Sequence, residues 1–223
     1  MDIININIKE KVYKSKKKKI SILNNFSMQV EKGEKIALIG SSGAGKSSLL
    51  NILGLIDKKY DGTYLLYGED ASAFSDEKSA EKRNKSIGFV LQESALIDSL
   101  NIEKNIKLPI MYLEKAKRGE FIDYFDYIIE KIGITSLLKK KPLECSGGER
   151  SRAIFARGII MKPEIILADE PEASLDEENK WKIIDLLFEI NKSLGSTLIT
   201  ATHDKDVANK FDRCIKIEKN SIL

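Results

Sequence analysis

The stretch Gly40-Ser41-Ser42-Gly43-Ala44-Gly45-Lys46-Ser47 decides the fold of this chain. It fits the pattern G-x-x-x-x-G-K-[ST], in which glycines let the backbone curl so that its N–H groups point at phosphate oxygens. The apolar residues 35–39 before it predict a buried strand, and residues 48–53 after it predict a helix whose N-terminus adds partial positive charge. A plain glycine-rich turn is the alternative. We predict a nucleoside triphosphate site, with Lys46 on the terminal phosphates and the Ser47 hydroxyl on Mg²⁺.

Length and composition limit the kind of protein this can be. The chain has 223 residues and a mass of 25.1 kDa, enough for one large domain or for a domain with an inserted subdomain. Hydrophobic residues make up 42% and charged residues 32%, which is typical of a folded soluble protein, and no apolar run approaches the roughly 20 residues of a membrane helix. Ile4, Ile6 and Ile8 alternate with polar residues, which predicts a half-buried strand rather than a signal peptide. We therefore expect a cytosolic chain.

Charge and cysteine content exclude further classes. The net charge of +3 is too small to indicate nucleic acid, and we expect no such partner. Cys145 and Cys214 are far apart and lack partners at metal-ligand spacing, which argues against a disulfide framework and a zinc site. The lysine-rich run 14–19 is a local exception. It is either a solvated hairpin loop or a contact with anionic lipid head groups, where each lysine contributes about 1 kcal/mol.

The rest of the chain alternates strand and helix patterns. We predict strands at 62–67, 87–91, 164–168 and 197–202. The last two are continuous apolar runs, which are typical of buried parallel strands. Between 93 and 158 helical spacing dominates, most clearly in Phe121, Phe125, Ile128, Ile129 and Ile132. Gly133 is a stop signal there, and a later helix at 177–194 ends at Gly195. The pattern predicts an α/β domain with a helical insertion.

Two adjacent carboxylates, Asp169 and Glu170, follow the apolar strand predicted at 164–168. The carboxyl ends of parallel strands are where open α/β folds bind ligands. Beside a phosphate loop, Asp169 suits the Mg²⁺ shell and Glu170 can polarise an attacking water. An ordinary surface turn is the alternative.

A second candidate phosphate cradle is Ser146-Gly147-Gly148-Glu149, which opens a helix-compatible run ending near Arg157. A small hydroxyl and two glycines at a helix N-terminus can bind an anion by the same backbone logic as the first loop. A helix N-cap with a flexible lead-in is the alternative. If both cradles bind one triphosphate, they can do so from two copies of the chain related by a two-fold axis.

Together these residues resemble the nucleotide-binding subunit of ATP-binding-cassette (ABC) transporters over essentially the whole chain. The motifs follow in the family's order, namely the phosphate loop, Gln92, the segment 146–149, Ile166-Leu167-Ala168-Asp169-Glu170-Pro171, Ser174-Leu175-Asp176 and Thr202-His203-Asp204. The phosphate loop alone would also fit kinases and GTPases, whereas the segment 146–149 and the late histidine are specific to this family. The segments at 50–57, 62–64 and 105–109 are similar to the lipoprotein-release and macrolide or antimicrobial-peptide export branch.

The resemblance implies an α/β fold of the P-loop NTPase class, with a parallel-sheet core, an N-terminal antiparallel β subdomain and an inserted helical subdomain. Residues 1–223 would form a single ABC ATPase domain. Within it, 1–92 and 159–223 would be the core and β subdomain, and 93–158 the helical subdomain.

The same resemblance implies an ATP-hydrolysing subunit with ATP and Mg²⁺ as cofactors. It would lie at the cytoplasmic face of the cell membrane and power a separate permease, contacted near Gln92–Ile110, that exports a peptide, lipid-linked or antimicrobial substrate. A second copy of the chain would form a head-to-tail dimer closed by ATP. The alternative is a regulator of a cell-wall or signalling membrane complex that uses the same ATPase without transport.

Family roles carry over only to matching residues. The phosphates would be bound by Gly40, Ser41, Ser42, Gly43, Ala44, Gly45, Lys46, Ser47 and Ser48. In the second copy, the nucleotide would meet Ser146, Gly147, Gly148, Glu149 and Asp176. The metal ligands would be Ser47, Gln92 and Asp169, and the catalytic residues Glu170 as base, His203 on the γ-phosphate and Gln92 near the attacking water. Tyr13 would stack on adenine, with a strand-end core tyrosine as the alternative.

Four positions depart from the family pattern. Cys145 replaces a leucine, so helix packing is expected to loosen while the phosphate cradle survives. Glu149 stands for glutamine and Ser48 for threonine, and both keep their hydrogen-bonding oxygens. Glu172 replaces a small residue and adds a third carboxylate near Asp169 and Glu170. Like charges that close raise the proton affinity of at least one member, so Glu172 is expected to slow ATP turnover if it faces the site.

Overall fold

Two β-sheets and seven α-helices make up the described part of this computed structural model, which covers residues 2–15, 18–90, 96–173 and 175–218. The strands are β1 (Asp2–Ser15), β2 (Lys18–Glu31), β3 (Lys35–Ile39), β4 (Asp61–Leu66), β5 (Glu69–Asp70), β6 (Ile87–Val90), β7 (Ile165–Asp169), β8 (Thr197–Thr202) and β9 (Arg213–Lys216). The helices are α1 (Lys46–Leu53), α2 (Asp76–Lys85), α3 (Ile102–Met111), α4 (Glu120–Ile132), α5 (Gly147–Ile159), α6 (Glu177–Leu194) and α7 (Lys205–Ala208). The predicted site residue Gln92, and Ser174, lie outside the described residues.

The central sheet is parallel, in the order β6-β7-β8-β3-β9. Its inner strands β7 and β8 are almost entirely buried because both faces are covered, whereas the edge strand β9 is largely exposed. In β7, Ile165 and Leu167 pack into one hydrophobic core, while Ile166 and Ala168 pack into the other. The sheet therefore separates two cores, and the continuous apolar runs predicted from the sequence are confirmed.

The second sheet is antiparallel and begins at the N-terminus, in the order β2-β1-β4-β5. Strand β1 pairs with both β2 and β4. Ile4, Ile6 and Ile8 are fully buried on one face, which confirms the predicted half-buried strand. This face packs in the same core as α1, so the antiparallel sheet lies against the helix that follows the phosphate loop.

The segment 96–159 is helical, as predicted. In α4 the five apolar residues at helical spacing are buried, namely Phe121, Phe125, Ile128, Ile129 and Ile132. Gly133 ends this helix with φ of +69°, in the left-handed region that glycine adopts without steric cost. These side chains share a core with α5, α6 and one face of the parallel sheet.

The backbones of α5 and β6 approach each other closely. A Cβ at Gly88 would lie 2.1 Å from the carbonyl oxygen of Gly158, and a Cβ at Gly158 would lie 2.5 Å from the carbonyl oxygen of Phe89. Any larger residue at either position would push the helix off the sheet edge. The two glycines thus fix α5 against the parallel sheet.

Several element boundaries differ from the sequence prediction by one or two residues. Helix α1 begins at Lys46, inside the phosphate pattern, because the helix starts as soon as the loop closes. The fourth strand spans Asp61–Leu66, and the seventh reaches Asp169. Among the described residues, no helix is long and apolar enough to cross a membrane.

Candidate nucleotide site

The loop 40–47 joins the carboxyl end of β3 to α1. Gly43 and Gly45 have φ values of +75° and +107°, which a side chain would strain. Helix α1 has neither a side-chain cap nor an acidic residue in its first turn. Its first N–H groups therefore lack a side-chain partner and, with the partial positive charge of the helix end, suit an anion such as phosphate.

Lys46 is the cation of this loop. Its side chain is 6% exposed. The ammonium donates to the carbonyl oxygen of Gly40 at 2.8 Å and lies 3.4 Å from that of Ser41. It also lies 3.9 Å from Glu170 Oε1. The backbone of the loop holds this positive charge in place, next to the carboxylate that follows β7.

Ser47 and Asp169 form an oxygen pair suited to a divalent cation. Burial raises the pKa of the Asp169 carboxyl, and a side-chain hydrogen bond with Ser47 opposes that shift. Mg²⁺ is bound in such sites through one or two protein oxygens, with waters and substrate phosphates completing the shell. A hydroxyl and a carboxylate at the edge of a phosphate loop fit this requirement.

Glu170 and His203 meet at the carboxyl ends of two neighbouring strands. Strand β7 pairs with β8 in a register that sets Asp169 opposite Ala201, and the Glu170 N–H donates to the Ala201 carbonyl at 2.9 Å. Glu170 has φ of +46°, so the chain turns sharply here. Its Oε2 lies 3.3 Å from His203 Nδ1. The sheet thus brings Lys46, Glu170 and His203 together, as the sequence predicted.

Glu172 lies next to this cluster but inside the protein. Its side chain is 5% exposed, and the Thr202 hydroxyl donates to Oε1. The pKa of Glu172 is raised, with burial as the largest cause and repulsion from Glu170 a smaller one. The like-charge effect expected from the sequence is therefore present but secondary. The sequence predicts no role for Thr202 beyond its place in the motif Thr202-His203-Asp204.

Tyr13 lies near the end of β1, beside the loop. Tyr13 pairs with Ile20 of β2. Two residues further along β2, Ile22 Cγ2 would lie 2.8 Å from a Cβ at Gly45, so β2 passes close to the phosphate loop. The ring is 44% exposed, so it is not a core tyrosine. Its hydroxyl donates to Asp57 Oδ2 at 3.3 Å, and the Lys11 ammonium lies 4.8 Å from the ring centroid.

Lys11 is a buried cation that the sequence analysis missed. It is 1% exposed and binds Asp57 Oδ2 at 2.5 Å and the Lys59 carbonyl at 2.7 Å. A lysine in an alternating strand gives no hint of burial, because its partner lies 46 residues away in sequence. The pair of Lys11 and Asp57 holds the Tyr13 side chain beside residue 57, beyond the C-terminal end of α1.

The segment 146–149 forms the N-terminus of α5. The Ser146 hydroxyl accepts from the Glu149 N–H at 3.2 Å, and Glu149 Oε2 accepts from the Ser146 N–H at 2.7 Å, so the two residues form a reciprocal capping box. Gly147 has open space around the position of a Cβ. Within the described ranges, no hydrogen bond or ion pair links this segment to the loop 40–47.

Two flanking residues complete this region. Asp176 caps α6 by accepting from the Asn179 N–H at 2.9 Å. Cys145 is buried, its thiol donates to the Lys141 carbonyl at 3.5 Å, and burial raises the pKa of that thiol. The cysteine that replaces leucine is therefore packed and hydrogen-bonded before the helix begins.

Comparison with known proteins agrees with this geometry. The family model for the ABC transporter matches residues 23–173. The chain is 36% identical over 213 residues to the uncharacterised ABC transporter ATP-binding protein YknY of Bacillus subtilis, covering 96% of this chain and 92% of YknY. It is 32% identical to the lipoprotein-releasing system ATP-binding protein LolD of Pseudoalteromonas translucida, covering 95% and 91%. It is 33% identical to the macrolide export ATP-binding/permease protein MacB of Mannheimia succiniciproducens, covering 100% of this chain but 34% of MacB.

Solved structures agree as well. The dimeric post-hydrolysis state of the ATP-binding cassette MJ0796 bound to ADP and Pi superposes with a TM-score of 0.88 at 29% identity, covering 98% of this chain and 97% of that chain. A second dimeric structure of MJ0796, a bacterial ABC transporter cassette, gives 0.89 at 30% identity, covering 98% and 96%. The predicted α/β fold of the P-loop NTPase class is thereby confirmed.

Proposed function

Since the chain belongs to the ABC transporter family, which hydrolyses ATP, we propose that it is the Mg²⁺-dependent ATPase subunit that powers a separate membrane permease. The observation that carries the proposal is the cluster of Lys46, Glu170 and His203 at the open end of α1. A buried cation, a carboxylate and an imidazole around a phosphate loop are the groups that phosphoryl transfer to water needs.

Each residue of the cluster has one task in this proposal. Lys46 binds the terminal phosphates, and His203 donates to the γ-phosphate as a neutral imidazole. Glu170 accepts the proton of the attacking water. Ser47, Asp169 and Gln92 hold Mg²⁺, whose chemistry is to neutralise charge on the β- and γ-phosphates. Tyr13 stacks on adenine with the face of its ring that Lys11 leaves open.

The second half of the site comes from a second copy of the chain. The N-terminus of α5 and Asp176 of one copy meet the phosphates bound by the loop 40–47 of the other, in a head-to-tail dimer closed by ATP. The dimeric cassettes that superpose on this chain support such pairing. A two-fold axis completes both sites at once, so hydrolysis at either loop weakens the contact between copies.

We assign the permease contact to Gln92–Ile110, a range that includes most of α3, and place the chain at the cytoplasmic face of the membrane. We assign the substrate to the peptide, lipid-linked or antimicrobial class, and transport to the export direction, because the relatives include LolD and MacB. The division into core and β subdomain (1–92, 159–223) and helical subdomain (93–158) also belongs to this proposal. No observation favours the alternative of a regulator without transport.

The ATPase part of the proposal is tested by phosphate release from the purified chain. We expect release from ATP without any phosphoryl acceptor, and its loss when EDTA removes Mg²⁺. Hydrolysis that needs an acceptor would make the chain a kinase instead.

The permease part is tested by cross-linking in membranes. Cys214 is exposed and Cys145 buried, so a Cys214→Ser background leaves no exposed native thiol among the described residues. Ile97 is 42% exposed within the assigned contact, and Leu65 is 37% exposed on β4. We expect Ile97→Cys, but not the matched control Leu65→Cys, to cross-link to an integral membrane protein. Equal cross-linking at both positions would contradict the assigned contact.

A further inference from the structure

Glu172 is a buried carboxyl with half of its hydrogen-bonding capacity unused. Its side chain is 5% exposed, and Oε2 is buried without a hydrogen-bond partner. The other oxygen, Oε1, accepts from the Thr202 hydroxyl. A buried acceptor that carries charge and lacks a partner is costly, so this side chain is kept for a reason other than simple packing.

Thr202 links this carboxyl to the segment that carries His203. The Thr202 oxygen accepts from the Asp204 N–H at 3.0 Å, which leaves its single proton for Glu172 Oε1. Asp204 in turn caps α7, accepting from the Asp206 and Val207 N–H groups. Glu172 therefore fixes the end of β8 from inside the fold.

The two strand ends are joined twice. Glu170 contacts His203 on the exposed side, and Glu172 contacts Thr202 on the buried side. Glu170 and Glu172 lie in the turn after β7, and Thr202 and His203 are consecutive at the end of β8. Both contacts therefore form only when the turn after β7 and the end of β8 keep one relative position. Loss of the contact between Glu172 and Thr202 would let the contact between Glu170 and His203 shift.

We propose that Glu172 is a positioning residue for ATP hydrolysis, which holds Thr202, and thereby the adjoining His203, in register with Glu170. The inference rests on the proposed function, since it assigns Glu172 to the same reaction. It reverses the effect expected from the sequence. Glu172 supports turnover through its contact with Thr202.

The contact with Thr202 does not depend on the charge of Glu172. Burial raises the pKa of the Glu172 carboxyl, the Thr202 hydroxyl opposes that shift, and Glu170 adds a smaller rise. Oε1 accepts from the Thr202 hydroxyl whether or not the carboxyl carries a proton.

Steady-state ATPase kinetics at a fixed pH test the proposal with three variants. We expect Glu172→Ala to lower kcat by about 5- to 20-fold, because a small loss of placement in a preorganised site costs up to about 10²-fold, with KM for ATP changed less than about twofold. We expect Glu172→Gln to retain most of the wild-type kcat, because its amide oxygen still accepts from the Thr202 hydroxyl. Glu178→Gln, at an exposed carboxyl on α6, is the matched control and should follow the wild type.

A second readout does not depend on turnover. His203 is the only histidine of the chain, so the ring Cε1–H signal of tag-free protein reports on one site in NMR. We expect Glu172→Ala to shift this signal at a fixed pH, and Glu172→Gln to leave it at the wild-type position.

The outcomes distinguish a failure of the role of Glu172 from a failure of the proposed ATP site. Wild-type kcat in Glu172→Ala, a loss of kcat in Glu172→Gln as large as in Glu172→Ala, or a His203 signal that Glu172→Ala leaves unchanged would each overturn the role of Glu172. Normal hydrolysis in Glu170→Gln would instead overturn the proposed site. In that event the His203 signal alone still decides whether Glu172 and His203 are coupled.

Discussion

Two helix N-termini in this chain have the sequence features of a phosphate cradle, but they differ in whether side chains cap them. Helix α1 has no side-chain cap and no acid in its first turn. Helix α5 is closed by a reciprocal capping box between Ser146 and Glu149. An uncapped helix end with a fixed lysine beside it is ready for an anion, whereas the capping box of α5 has already satisfied the N–H groups of Ser146 and Glu149.

This difference indicates that the two helix N-termini have different functions. The open end of α1 is organised to bind ATP in a single chain. At the capped end of α5, Gly147 and Gly148 carry no side chain of their own, but Glu149 adds a negative charge. We infer that α5 adds little to nucleotide binding by one chain and acts when two chains close around ATP.

The largest effect is expected beside the open end, for Glu170→Gln. Loss of a general base lowers the rate of hydrolysis by about 10²- to 10⁴-fold, while ATP binding persists because the loop and Lys46 are untouched. Phosphate release and size-exclusion chromatography with ATP should show a slow enzyme trapped as a closed dimer. Near-normal hydrolysis would remove Glu170 from the mechanism, and Glu178→Gln is the control.

Lys46→Met should weaken ATP binding itself. Hydrogen bonds to charged groups contribute about 1.5 to 3 kcal/mol, so affinity should fall by about 10- to 150-fold. Titration calorimetry measures this change, with exposed Lys32→Met as the matched control. Unchanged affinity would mean that the open helix end binds phosphate without its lysine.

Ser146→Ala breaks the capped end. Loss of a serine N-cap costs about 1 kcal/mol of stability, which thermal unfolding should detect. We expect ATP binding by the single chain to stay at the wild-type level, while ATP-induced dimerisation weakens. A matching loss of ATP affinity in the monomer would end the distinction between the two helix ends.

Glu149→Gln is the smallest change. Its side-chain oxygen still accepts from the Ser146 N–H, and only the negative charge disappears from the end of α5. We expect the ATP concentration needed for dimer formation to fall by no more than about threefold. Light scattering measures it in a Glu170→Gln background, which prevents turnover. A higher ATP requirement would show that the charge itself assists closure.

The same variant has a pH signature. The Ser146 backbone N–H holds the pKa of Glu149 below its usual range. The stabilisation from this contact is therefore present above the ordinary carboxyl range and is lost as pH falls through the lowered pKa. Thermal unfolding from pH 7 to pH 3 should show that the advantage of wild type over Glu149→Gln shrinks on acidification; a constant difference would contradict it.

Much of the fold could be predicted because it depends on local patterns. The buried strand before Gly40, the five apolar residues of α4 and the stop at Gly133 each follow from spacing and glycine chemistry within a few residues. Element ends were less accurate, since hydrogen bonding between strands decides them. The charged residues Lys11 and Glu172 gave no local sign of burial, as their partners lie 46 and 30 residues away.

The sequence by itself determined the phosphate loop, the two carboxylates after β7 and the family, because these are written in residue types at fixed spacing. Only the tertiary structure decided which groups meet. The pairing of β7 with β8 sets Glu170 against His203, and the packing between them turns Glu172 inward onto Thr202. The physical reason is that burial and its effect on a carboxyl depend on what surrounds the side chain, and those neighbours come from distant parts of the chain.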